Sequence, residues 1–124
     1  IRLACRTPSG APWMLSLWFR FDGRFHCATG AGADVVRYLE GDPEVAFEVS
    51  TNDPPYRGVR GRGRATIGPD EDKELLRSLL VRYLGDVDEP PGPRLLSADR
   101  DEVAITIEPE RVYSWDFTAR MTGE

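Results

Sequence analysis

One stretch limits what this chain can become. From Arg57 to Ile67 the sequence alternates strictly. Arg60, Arg62 and Arg64 fall on one side, and Val59, Gly61, Gly63, Ala65 and Ile67 on the other. A period of two is the signature of an extended strand. This one is long enough to cross a complete barrel, and glycine inside a strand permits bulges, sharp curvature or close approach of another backbone. A long, curved strand needs antiparallel partners, so the rest of the chain is read as a small β-domain.

The partners are visible. Ile1–Cys5 is a short first strand, and Thr7-Pro8-Ser9-Gly10 is a turn. Trp13–Phe21 alternates, with Trp13, Leu15, Leu17, Phe19 and Phe21 on one face, and Asp22-Gly23 follows at once. Asp-Gly between two strand patterns is a strong hairpin signal, because both central residues of a type I′ turn need positive φ. Trp13–Phe21 is therefore expected to pair with Arg24–Thr29. Val45, Phe47 and Val49 mark another strand, and Val103, Ile105 and Ile107 a further one. Pro109-Glu110-Arg111 is read as a turn before a last strand, Val112–Phe117.

Two helices are expected. Pro69–Leu84 has proline at its first position, acids in its first turn and Gly85 at its end. Its stripe of Leu75, Leu76, Leu79, Leu80, Tyr83 and Leu84 would contribute roughly 10 kcal/mol before entropy, at about 1.5–3 kcal/mol per side chain. The other helix follows Gly30-Ala31-Gly32. Asp34 is placed as its cap, with Gly41 just past its end. A strand feeding a glycine turn and a helix start collects free N–H groups that suit an anion. The fold class that results is mainly β with a minor α part. It is a single domain over residues 1–124, a split β-barrel of six to seven mostly antiparallel strands with two helices.

Composition narrows the function. A net charge of −5 argues against nucleic acid as a partner. The three strand arginines are expected to pair with acids on neighbouring strands, at least two of the three. No apolar run approaches the ~20 residues of a membrane span. Cys5 and Cys27 lack metal or redox spacing, which suggests buried thiols in a reducing, cytoplasmic interior. His26 is the only histidine and is read as a half-buried strand residue. With no His-based triad and no metal cluster, any chemistry falls to a cofactor.

Several segments together resemble a known family. They are Leu17-Trp18-Phe19, Phe25-His26-Cys27-Ala28-Thr29-Gly30, Arg37-Tyr38-Leu39 with Asp42-Pro43, Pro55-Tyr56-Arg57-Gly58-Val59-Arg60 with Gly63-Arg64-Ala65, and Pro109-Glu110-Arg111-Val112-Tyr113-Ser114-Trp115-Asp116. In this order they are similar to the pyridoxamine 5′-phosphate oxidase-like split barrels, and more narrowly to their flavin/deazaflavin oxidoreductase branch. The resemblance implies a homodimer that binds FMN, or alternatively a deazaflavin coenzyme, in a groove between subunits and acts on a small-molecule substrate. It puts Trp18 and Phe19 near the ring, Thr29 and Gly30 on the ribityl-phosphate side, and Trp115 against the ring from the partner subunit. A compensating cation for the phosphate is sought in Arg20, Arg37 or one of Arg60, Arg62 and Arg64. One departure stands out. The family places a small hydroxyl residue and a basic residue at the first helix start, where this chain has Ala33, Asp34 and Val35. Two lost charge-assisted contacts, at about 1.5–3 kcal/mol each, weaken phosphate binding a hundredfold or more. The alternative is therefore a non-catalytic split-barrel dimer that binds another ligand or none.

Overall fold

The computed structural model describes residues 1–123. Seven strands form one antiparallel sheet. They are β1 (Arg2–Arg6), β2 (Pro12–Ser16), β3 (Arg20–Phe21), β4 (Phe25–Gly30), β5 (Glu44–Ser50), β6 (Arg57–Pro69) and β7 (Glu102–Asp116). Their order across the sheet is β2-β1-β5-β6-β7-β4-β3. The sheet is a split barrel: its outermost strands, β2 and β3, do not pair with each other and are bridged by Leu17–Phe19.

The alternation works as the period dictates. Leu3 and Cys5, Phe25 and Cys27, Val45 and Phe47, Ala65, Ile105 and Ile107 all turn inward and are buried. Helix α1 (Asp34–Gly41) adds Val35, Val36 and Leu39 to the same core. Both cysteines are free and buried. Helix α2 (Glu74–Leu84) buries Leu75, Leu76, Leu79 and Leu80 and packs on β4. Two short helices, α3 (Gly92–Leu95) and α4 (Thr118–Thr122), complete the chain.

Four expectations are corrected. First, Trp13–Phe21 is not one strand paired with Arg24–Thr29. Its first half is β2, which pairs with β1, and only Arg20–Phe21 pairs with β4. The joining turn has positive φ at Gly23 alone, so it is not type I′. Second, Pro69 ends β6, opposite Val103, and does not start a helix. A 3-10 turn over Glu71–Lys73 intervenes. The cap of α2 is the Asp70 carboxylate, which accepts hydrogen bonds from the Leu75 and Leu76 amides at 2.9 and 3.0 Å.

Third, Pro109–Arg111 is no turn. Strand β7 runs unbroken past it, and the irregularity is a bulge at Arg62/Gly63 of β6, where Glu110 is skipped. Pro109 is tolerated there because β4 pairs β7 only as far as Ile107. Beyond that residue one side of β7 is an edge, and a missing N–H leaves no broken ladder bond. Fourth, Ala33 takes the cap position of α1 without a side-chain bond. Asp34 and Gly41 are its first and last helical residues.

Candidate functional site

The outer face of β4 and the start of β7 carry small residues: Ala28, Gly30 and Ala104. Helix α2 covers part of that face. Between them lies a cleft of about 390 Å³, lined by Ser16, Leu17, Trp18, Ala28, Thr29, Gly30, Leu76, Leu95, Arg100 and Glu102. Three of the sequence-derived site residues, Trp18, Thr29 and Gly30, therefore meet in one place.

Trp18 is fixed from below. Its ring stacks on Tyr83, with centroids 5.2 Å apart and planes 8° from parallel. The Tyr83 hydroxyl accepts from the Phe19 amide at 3.1 Å and donates to the Phe19 carbonyl at 3.2 Å. The segment between β2 and β3 is not in the sheet, so the last turn of α2 holds it through these bonds. Phe19 itself packs on Phe25 at a centroid distance of 5.8 Å and supports the barrel interior. It does not line the cleft.

The polar end of the cleft is one ion pair. Arg100 Nη2 lies 3.3 Å from Glu102 Oε1, and its Nε donates to the same oxygen at 3.4 Å. The Glu102 side chain is 2% exposed and that of Arg100 37%. Gly30 is the ladder partner of Glu102, and a Cβ there would sit 3.6 Å from Arg100 Nη2. A side chain at Gly30 would thus be in ordinary contact with the guanidinium, and the site would tolerate a Cβ there. Neither Arg100 nor Glu102 was singled out by sequence. Arg100-Asp101-Glu102 looks like a charged strand entry, and the burial of Glu102 comes from distant elements. The only local signal was an acid placed directly before the apolar run of Val103, Ile105 and Ile107.

The helix start of α1 adjoins this cleft through Gly30, whose carbonyl accepts from the Ala33 amide at 3.0 Å. The Val36 amide is satisfied by the Ala33 carbonyl. The Asp34 and Val35 amides have no backbone partner among the described residues. The side chains there do not favour an anion. Asp34 is exposed and pairs with Arg37 at 3.3 Å, while Val35 is 1% exposed and points into the core. The residues fit a planar, largely apolar ring with a polar edge. At the helix start, among the described residues, a phosphate would meet backbone donors and no unpaired basic side chain.

The remaining candidates lie elsewhere. The Arg60 guanidinium sits over the Trp115 ring at 5.4 Å. Arg60 lines a groove of about 510 Å³ on the outer sheet face with Arg2, Met14, Glu48, Arg62 and Tyr113. Trp115 lines a third depression with Val49, Thr51 and Arg57. Among the described residues, Arg60, Arg62 and Arg64 form no ion pair within 4.0 Å, which corrects the expectation that most of them would be neutralised. His26 is half-buried, as expected, and its Nε2 lies 2.8 Å from Asp22 Oδ1. That contact is the main reason the Asp22 carboxyl is held below its ordinary range. Burial pushes the Cys27 thiol up to about 12. No group of His, Cys, Asp and Glu suited to a metal ion occurs among the described residues, and none of the helices is long and apolar enough to cross a membrane.

The chain matches the family model described as pyridoxamine 5′-phosphate oxidase over residues 1–116. Among solved structures it is similar to the conserved hypothetical protein Rv2991 from Mycobacterium tuberculosis, at 27% identity and a TM-score of 0.77, covering 99% of this chain and 79% of that one. It is also similar to an F420 reductase, at 30% identity and a TM-score of 0.75, covering 90% and 86%. A pyridoxamine 5′-phosphate oxidase-related, FMN-binding protein from Nostoc punctiforme shares the fold at 17% identity and a TM-score of 0.65, covering 94% and 73%. No curated protein matches the chain.

Proposed function

This chain belongs to the pyridoxamine 5′-phosphate oxidase family, and from that premise we propose that it binds FMN or a deazaflavin coenzyme in the Trp18–Thr29–Gly30 cleft and acts as an oxidoreductase. The observation that carries this is the cleft itself. It has apolar walls from Leu17, Leu76 and Leu95, the flat face of Trp18, and one polar end at Arg100 and Glu102. A similarity of 30% identity to an F420 reductase makes the deazaflavin as eligible as FMN.

The bound cofactor supplies the hydride chemistry. The chain's own residues orient it and exclude water from one side. Trp18, held by Tyr83, offers a rigid ring face, and Leu76 and Leu95 close the floor. On this reading Thr29 and the Asp34 and Val35 amides would hold the polar arm. We further propose a homodimer. The outer sheet face exposes Met14 and Tyr113 at 61 and 54%. Side chains of this size suit an interface core, and Arg60 and Trp115 belong to the same half of the sheet. Light scattering at micromolar concentration should give twice the chain mass, and a monomeric mass refutes the dimer.

One observation favours the alternative, a non-catalytic barrel. The helix start carries an exposed carboxylate at Asp34 and a buried valine at position 35 in place of a hydroxyl and a cation. Titration decides. FMN and the deazaflavin coenzyme are each added to the purified protein while cofactor fluorescence is followed. A Kd below about 10 μM for either, near −7 kcal/mol, supports the oxidoreductase. Absence of binding by both leaves the non-catalytic barrel.

A further inference from the structure

Glu102 is the most unusual side chain in the molecule. A carboxylate almost fully removed from water needs its oxygens satisfied. Here Oε1 takes both bonds from Arg100, at 3.3 and 3.4 Å, which is long for a charge-assisted pair. Oε2 accepts no hydrogen bond from the described residues. Yet among the described residues no fully enclosed side-chain polar atom lacks a partner. Oε2 therefore keeps its small remaining exposure, and Glu102 lines the cleft. Beside it the Arg100 guanidinium, partly exposed, retains donors not used on Glu102.

The cleft thus ends in an acceptor and a donor side by side on a pair of zero net charge. A phosphate suits this badly, because the carboxylate repels it. A group with an N–H next to a C=O suits it well: the N–H donates to Glu102 Oε2 and the carbonyl accepts from Arg100. Trp18, Leu17, Leu76 and Leu95 line the same cleft as the pair and offer a ring apolar contact. We propose that Arg100 and Glu102 recognise the cis-amide edge of a planar heterocycle, the N3–H and adjacent carbonyl of the flavin or deazaflavin pyrimidine ring. This assignment rests on the cofactor assignment above and adds to it which end of the ring enters the cleft and what holds it.

The test uses rings without a phosphate arm. Lumiflavin and 5-deazalumiflavin are titrated into the full chain beside their N3-methyl derivatives, with ring fluorescence as the readout. Methylation removes the donor and should weaken binding at least tenfold, about 1.4 kcal/mol. In Glu102→Met the parent ring should bind at least tenfold more weakly, and methylation should then cost less than about threefold, because the two changes delete the same contact. Arg100→Met should weaken both rings yet keep the methylation penalty. Thermal unfolding confirms that the variants fold, and the comparison on the unmodified protein needs no variant. Equal binding of parent and methylated rings overturns this inference and leaves the cofactor assignment standing. Binding of FMN with no binding of either phosphate-free ring also overturns it, since the phosphate then carries the affinity. No binding of any ring, FMN or the deazaflavin coenzyme overturns both.

Discussion

Restoring the family's basic residue at position 35 looks like a route to tighter phosphate binding, and the structure predicts a different result. Val35 is 1% exposed and packs with Val36 and Leu39 in the barrel core. Val35→Lys removes a buried valine, about 1.5–3 kcal/mol of burial. The new ammonium must then stay dry, lose its proton or escape. Holding it neutral at pH 7 against a reference pKa of about 10.4 costs roughly 4–5 kcal/mol. Threading the charge out along the first turn of α1 lowers that figure while disturbing the packing. The expected loss is about 3–5 kcal/mol, much of the 5–15 kcal/mol that typically stabilises a domain.

The loss has a distinctive pH dependence. Burial lowers the folded-state pKa of the new lysine, so the unfolded chain binds the extra proton over the window between the two values. Stability then rises with pH, by up to about 1.4 kcal/mol per unit, until the unfolded pKa is reached. Urea unfolding at about pH 7 and pH 9 reads this directly as a gain of roughly 2–3 kcal/mol that the unmodified protein lacks. Asp34→Lys is the control. Asp34 is exposed and its pair with Arg37 is a surface pair, so the change should stay within about 1 kcal/mol. A Val35→Lys protein with an unchanged midpoint and no added pH dependence would show that side chain 35 does not enter the core.

Two further outcomes follow from packing. A Cβ at Gly61 would lie 2.0 Å from the Arg111 carbonyl oxygen and 3.0 Å from the Phe47 ring, whereas one at Gly68 would meet nothing within 4 Å. Gly61→Ala should cost about 2–4 kcal/mol through displaced β6–β7 ladder bonds, and Gly68→Ala should change stability by less than about 1 kcal/mol, both read by urea midpoints. Cys27, with its thiol raised to about 12 by burial, should react with a disulfide reagent at least about a thousandfold more slowly in the native protein than in urea. A rapid native reaction at this residue would refute its burial.

The strands were legible because alternation is local. Leu3, Cys5, Phe25, Cys27, Val45 and Phe47 each declare their face through immediate neighbours, and each is buried. Pairing was less legible. Trp13–Phe21 alternates without interruption, but the barrel needs a crossing between its two edges, and Leu17–Phe19 leaves the ladder to make it. Pro109 reads as a break because a sequence does not show that β4 stops at Ile107 and frees that edge. Family resemblance points to Trp18, Thr29 and Gly30, which line one cleft, whereas no local pattern points to Arg100 and Glu102. The pair itself is local, but the burial of Glu102 comes from elements far away in the chain, among them β4, whose Gly30 is its ladder partner.

Charge balance around the cleft has a consequence that salt can read. Arg100 is matched by Glu102 and Arg37 by Asp34, so the cleft and the adjoining helix start carry no formal excess of positive charge. In a site built on free cations, raising ionic strength shortens the screening length from about 14 Å near 50 mM to about 4 Å near 500 mM and weakens phosphate binding sharply. Here the anion would find two backbone amides, the neutral Thr29 hydroxyl and a helix end, whose reach is confined to the first turn. Ring contacts, which salt does not screen, would carry most of the affinity. FMN and lumiflavin should therefore bind with similar strength, and neither should lose more than about threefold over that salt range. Isothermal titration at the two ionic strengths measures it. A tenfold or larger loss confined to FMN would show an unbalanced cation at the phosphate, and Arg60, Arg62 and Arg64, which have no acid within 4.0 Å among the described residues, would be the side chains to replace first.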